Sequence, residues 1–143
     1  MKTNKKIILV ESEPILVDLY RHFFKKTEFD VEHAAKMNEM LEELRDIRRG
    51  AAVKPDLVIL DMVLADGDGI EILKAMKKSF MTRDIPVFAI TNYQNPDLDR
   101  KISQLGITPE KYLVKAHHTP VELVDMIGHY FRNNEEGQMT TLS

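Results

Sequence analysis

The chain has 143 residues, 43% of them apolar and 30% charged, a net charge of −3 with both signs spread along it, and no cysteine. This is enough apolar material for one domain with a real core and too little chain for two ordinary domains. Disulfides, thiolate chemistry and cysteine-ligated metals are excluded, and the charge pattern offers no nucleic-acid-binding surface. Near the start, Ile7 to Val10 is too short an apolar run for a signal-peptide core or a membrane span. No membrane association is expected, and the expected location is cytoplasmic.

In chain order, Lys6 to Val10 reads as a buried first strand that ends in Glu11-Ser12-Glu13. Pro14 then opens helix one, proline being pre-set for a first helical position. Ile15, Leu16, Leu19, Tyr20, Phe23 and Phe24 follow at helical spacing. Phe29 to Ala34 is a weaker second strand. Helix two runs from about Met37 to Arg48, with Met40, Leu41, Leu44 and Ile47 on one face and Gly50 beyond its end. Leu57 to Leu60 is an unbroken apolar run, as expected for a central strand buried on both faces. It ends in the carboxylate of Asp61 and is followed by the turn Ala65-Asp66-Gly67-Asp68-Gly69.

Helix three starts near Asp68 and carries Ile70, Leu73, Met76 and Phe80. Ile85 to Thr91 is strand four, ending in a hydroxyl. Asn92 to Pro96 is a loop, and helix four spans about Asp97 to Leu105. Lys111 to Val114 is strand five, ending in Lys115. Helix five opens at Thr119-Pro120, with Glu122 three residues after the capping threonine. It runs to about Phe131 with Val121, Val124, Ile127 and Phe131 inward. Leu123, Met126 and Tyr130 fall off that stripe, as a dimer or partner interface or as partial core contacts. Residues 133–143 are polar and aperiodic and are expected to form a flexible tail after a domain spanning residues 1–132. Strands alternating with helices specify a doubly wound, flavodoxin-like α/β fold: a five-stranded parallel sheet in the order 2-1-3-4-5 with five helices.

In that topology the strand ends meet at the carboxyl edge of one sheet, where open α/β folds place their chemistry. Glu11, Ser12, Asp61, Thr91 and Lys115 supply oxygen ligands, a central carboxylate, a hydroxyl and an ammonium. Oxygen ligands suit a hard cation such as Mg2+. Beside it, Asp61 has the chemistry of a nucleophile toward a phosphoryl group, with Lys115 and Thr91 as counter-charge and donor. Taken singly, each residue also has a plain structural role, such as a turn cap, a solvated lysine or a core aromatic. Their convergence on one edge favours the functional reading. His117-His118 lacks a third ligand at suitable spacing and reads as an exposed loop pair. The methionines fall mostly at core positions.

Across about Lys6 to Phe131 the chain resembles the receiver domains of two-component response regulators. The resemblance rests on IILVESEP, PDLVILDMVLADGDGIEIL, IPVFAIT and KYLVKAHHTPVEL. It implies that Asp61 is the phosphoacceptor, Thr91 the switch hydroxyl, Lys115 the phosphate-binding lysine and Tyr112 an aromatic rotamer switch. It also implies a Mg2+ site formed by Glu11, Ser12, Asp61 and the Val63 carbonyl, with Glu13 and Asn92 as auxiliary positions. The implied partners are a sensor histidine kinase or phosphotransfer protein and a downstream protein that binds the face of helix four, strand five and helix five. The expected behaviour is that of a stand-alone signalling domain, monomeric or weakly dimeric, which is not an enzyme beyond its own phosphotransfer and dephosphorylation.

Four positions depart from the family pattern. Ser12 stands where aspartate is usual, which weakens the expected metal affinity. Ala116 replaces a proline whose peptide is cis; a cis bond at a non-proline residue costs about 3 kcal/mol, so a trans Lys115–Ala116 bond is expected. Asn92 replaces a small residue, and Ala65 replaces a proline. Ser12 and Ala116 support an alternative, a pseudo-receiver that binds partners without phosphorylation. A small-phosphate hydrolase using Asp61 is more remote, because the chain lacks an evident cap domain.

Overall fold

A computed structural model describes the backbone of residues 4–142 and the side chains of residues 4–135. The main sheet is built from β1 (Lys6–Val10), β2 (Asp30–Ala34), β3 (Leu57–Asp61), β4 (Val87–Thr91) and β5 (Lys111–Val114). Its order is β2-β1-β3-β4-β5 and every pairing is parallel, as the alternation of strands and helices predicts. Five α-helices connect or follow the strands: α1 (Pro14–Phe24), α2 (Met37–Arg48), α3 (Gly69–Lys78), α4 (Pro96–Gln104) and α5 (Pro120–Leu142). A two-residue antiparallel ladder, Val63–Leu64 against Gly67–Asp68, closes the turn after β3.

Parallel strands covered on both faces must be apolar on both sides, and β3 and β4 are buried along their whole length. Alternation then divides the core. Ile8, Val10, Val58, Leu60, Val87 and Ala89 pack with α2, α3 and α4. Ile7, Leu9, Leu57, Ile59, Phe88 and Ile90 pack with α1 and α5.

Several element details differ from the sequence reading. Strand four begins at Val87, because Pro86 has no N–H for the ladder; its carbonyl still accepts from the Val58 amide at 3.0 Å. Helix four starts one residue earlier than expected, at Pro96, capped by Asn95, whose side chain accepts from the Leu98 amide at 3.2 Å. Helix three stops at Lys78. The buried Thr82 hydroxyl donates to the Met76 carbonyl at 2.8 Å, and the chain turns away in extended conformation at Ser79. Phe80 is therefore not a core residue: it is 77% exposed, beneath the Arg83 guanidinium.

On α1 the buried stripe is Val17, Tyr20 and Phe24, and Ile15 and Leu19 face outward. On α5 the inward stripe is Leu123, Val124 and Ile127, flanked by Tyr130 and Phe131. Leu123 is 2% exposed and Val121 40%, which reverses the assignment of those two residues. The helix continues to Leu142. Loss of apolar periodicity after Phe131 marks where burial ends rather than where the helix ends, since a nucleated helix propagates by its own hydrogen bonds. The expected tail lies largely outside the residues whose side chains are described. No cis peptide bond occurs among the described residues, in agreement with the expectation at Ala116. No helix among them is long and apolar enough to cross a membrane.

Candidate functional site

The topology brings the ends of β1, β3, β4 and β5 side by side, and the predicted residues converge there. Asp61, the last residue of β3, is 3% exposed; Glu11, directly after β1, is 1% exposed. Lys115 reaches over from the end of β5. Its Nζ lies 2.8 Å from Asp61 Oδ2 and 3.0 Å from Glu11 Oε1, so one ammonium bridges two buried carboxylates. Asp61 Oδ1 accepts from the Val63 amide at 3.0 Å. Both carboxylate oxygens of the central aspartate are thus held in fixed directions.

The electrostatics follow from burial and from two acids sharing one cation. Burial, and then the hydrogen bond and charge of Asp61, raise the Glu11 pKa from 4.5 to about 7, with Lys115 opposing them. Burial would lower the Lys115 pKa; the Asp61 carboxylate and then Glu11 outweigh it and hold the ammonium above the ordinary lysine value. Tyr20 on α1 is pushed up by burial and then by the negative charge of Glu11 and Asp61.

Thr91, 3% exposed at the end of β4, donates its hydroxyl to the Tyr93 carbonyl at 3.1 Å. Tyr112 lies in β5, packed partly against the α2–α4 side of the core. Its hydroxyl is buried without a hydrogen-bond partner among the described residues. Burial, and then the neighbouring Asp99 carboxylate, raise its pKa, although Asp99 does not reach it with good hydrogen-bond geometry.

Ser12 points to its neighbouring loops. Its hydroxyl donates to the Ala35 carbonyl at 2.6 Å and accepts from the Ala65 amide at 3.0 Å. Glu13 is the N-cap of α1 and makes no side-chain cap; its amide donates to Glu11 Oε2 at 3.2 Å. Asn92 is exposed in the loop after Thr91. His118 is 4.0 Å from Glu122.

The donor set has the chemistry of a hard-cation site. Two buried carboxylates share a single ammonium. No cluster of three or more His, Cys, Asp or Glu side chains able to hold a metal occurs among the described residues. A cation here would rest on Glu11, Asp61 and a carbonyl and keep several waters, which is the habit of Mg2+.

Two residues near the site escaped the sequence reading. His33 on β2 donates from Nε2 to the Glu11 carbonyl at 2.8 Å and so fixes the backbone of the acid pocket. Asp66 caps α2 from another loop, accepting from Met37 N at 2.6 Å and Asn38 N at 3.1 Å. Neither pairing leaves a local sequence signal.

The doubly wound sheet carries aspartate, threonine and lysine at the ends of β3, β4 and β5. Residues 7–128 match the response regulator receiver domain, and the chain belongs to that family. The phosphate regulon transcriptional regulatory protein PhoB of Escherichia coli is 28% identical over 123 residues, covering 86% of this chain and 50% of PhoB. The polar-differentiation response regulator DivK of Brucella anthropi is 27% identical over 116 residues, 81% of this chain and 88% of DivK. The chain therefore spans about half the length of the PhoB-type relatives and most of DivK. Among solved structures, the phosphorylated cyanobacterial phytochrome response regulator RcpA superposes with a TM-score of 0.72 at 25% identity, covering 87% of this chain and 88% of RcpA.

Proposed function

We propose that this chain acts as a receiver that accepts a phosphoryl group on Asp61 with Mg2+ and signals through a protein-binding face. The observation that carries the reading is the Lys115 ammonium, paired at once with Asp61 and Glu11 in a buried pocket. An Asp61 carboxylate oxygen attacks the phosphorus of a phosphohistidine on a sensor kinase or phosphotransfer protein. The P–N bond breaks, an acyl phosphate forms, and the imidazole leaves with its electron pair. Lys115 balances charge on the transferring group, and Thr91 turns its hydroxyl from Tyr93 to donate to it. Glu11, Asp61 and the Val63 carbonyl would hold Mg2+, which would supply further charge neutralisation.

Val63 and Tyr93, shortly after β3 and β4, and Ile15, at the start of α1, are exposed apolar side chains of the kind a docking donor could cover. The phosphoryl group adds about −2 charge. Tyr112, whose hydroxyl has no partner to give up, then reorients and alters the face formed by α4, β5 and α5. Turnover of an external substrate is not part of this function.

Incubation with acetyl phosphate and Mg2+, read by intact mass beside Asp61→Asn, tests the proposal. A phosphoryl-sized gain, absent from the variant, is the expected result. No gain from acetyl phosphate or from a phosphorylated histidine donor would replace it with phosphorylation-independent partner binding.

A further inference from the structure

The backbone loop after the phosphoacceptor is fastened at several points, and the fastenings converge on Ser12. The Ser12 hydroxyl gives its one hydrogen to the Ala35 carbonyl and accepts from the Ala65 amide. One residue on, Asp66 takes the first two free amides of α2, whose own N-cap, Lys36, provides no side-chain bond. Glu39 Oε2 accepts from the Ala35 amide at 2.8 Å. The loop and helix approach so closely that a Cβ at Gly67 would lie 2.5 Å from Met37 Sδ.

These bonds complete a circuit around Asp61. It runs from Asp61 Oδ1 to the Val63 amide, along the chain to Ala65, across to Ser12 and back to its neighbour Glu11. It closes through Lys115 to Asp61 Oδ2. Two residue types make the Ser12 link. Serine has a hydrogen for Ala35 that an ionised aspartate lacks. Ala65 has an N–H that a proline lacks. The departures at positions 12 and 65 thus supply the two hydrogens of the link, one given to Ala35 and one received from Ala65.

We infer that Ser12 is a positioning residue, not a metal ligand: its hydroxyl ties the loop carrying Val63 to the start of α2 and holds Asp61 in its phosphoryl-accepting geometry. The metal and phosphorylation parts of this inference rest on the proposed function; the loop tie does not.

The test compares the full chain with Ser12→Ala and Ser12→Thr by three readouts. Amide exchange at Ala65 and Met37 should quicken about tenfold in Ser12→Ala, as befits loss of a fastening hydrogen bond, and return in Ser12→Thr. Mn2+ affinity should stay within about twofold in both variants, since no ligand is lost. The rate of phosphorylation by acetyl phosphate at saturating Mn2+ should fall about fivefold in Ser12→Ala and recover in Ser12→Thr. Unchanged exchange at Ala65, an unchanged rate, or a tenfold or greater loss of Mn2+ affinity in Ser12→Ala each overturns the assignment. A wild-type chain that neither binds Mn2+ nor takes a phosphoryl group overturns the functional reading instead, and Ala65 exchange alone then decides the tie.

Discussion

Replacing Glu11 by glutamine in the metal-free protein should make the chain more stable relative to wild type as the pH rises. Glu11 titrates at about 7 in the fold against 4.5 in an unfolded chain. Each unit corresponds to about 1.4 kcal/mol, so ionising Glu11 costs the folded state about 3 kcal/mol more than the unfolded one. The sign follows from proton counting. Between pH 4.5 and about 7 the native state binds more protons at this site than the unfolded state, so its contribution to stability falls as pH rises. Above that window the loss is complete. Glutamine keeps the volume and can still accept from Lys115 through its one carbonyl oxygen; it loses the bond from the Glu13 amide, a cost that does not vary with pH, and it never ionises. Urea unfolding of both proteins in chelator, from about pH 5 to about pH 8, isolates the difference because all other groups are shared. With an m-value of about 2 kcal/mol/M, the gap between midpoints should move by about 1.5 M in favour of Glu11→Gln. A gap that stays flat means that Lys115 fully compensates the buried charge. A gap moving in favour of wild type means that the ion pair outweighs burial. Either result refutes the reasoning.

Four further substitutions probe packing. Leu123→Ala should cost about 2–5 kcal/mol by thermal or urea unfolding, whereas Val121→Ala should change stability by less than about 0.5 kcal/mol, because only the first empties core volume. Gly69→Ala places a Cβ 2.6 Å from Met62 Sδ and 3.1 Å from Met62 Cα, against a fully buried side chain and its backbone. It should cost about 1–3 kcal/mol in the same assay. Tyr112→Phe removes a buried hydroxyl that lacks a well-formed hydrogen bond among the described residues and lies near the Asp99 carboxylate, so the variant should be more stable by about 1 kcal/mol.

The sheet was legible because each strand is a short apolar run with a chemically distinct residue at its end. Asp61, Thr91 and Lys115 could be placed on one edge once the alternation of elements was recognised. The phase of α5 was not legible. Its apolar residues at 121, 123, 124, 126, 127, 130 and 131 contain two overlapping helical stripes, and only the position of the sheet selects the one centred on Leu123, Val124 and Ile127. Phe80 was misplaced for a related reason: it continues the spacing of Ile70, Leu73 and Met76, while the Thr82 hydroxyl that stops the helix acts from beyond it. The links around the acid pocket were beyond local reading altogether. Ser12 meets partners 23 and 53 residues away, and Asp66 caps amides 28 and 29 residues away, so their roles emerge only when the loops are assembled.

The arrangement of bonds explains how a change confined to Asp61 would spread under the proposed function. Lys115 divides one positive charge between two carboxylates. A phosphoryl group on Asp61 converts one of them into a centre of about −2 charge and draws the ammonium toward it. Glu11 then loses part of its partner while still buried, which strengthens its demand for a proton or a metal ion. On the other side, Thr91 must exchange a neutral carbonyl acceptor for an anionic one, and charge-assisted hydrogen bonds are the stronger kind. Tyr112 has no well-formed hydrogen bond to give up among the described residues, and a buried hydroxyl so placed carries a cost of about 1–3 kcal/mol. A bias of a few kcal/mol is enough to invert a two-state population. Under the proposed function the lever therefore lies in the imbalance of two acids on one lysine, and Tyr112, whose hydroxyl is not held by a hydrogen bond among the described residues, answers it.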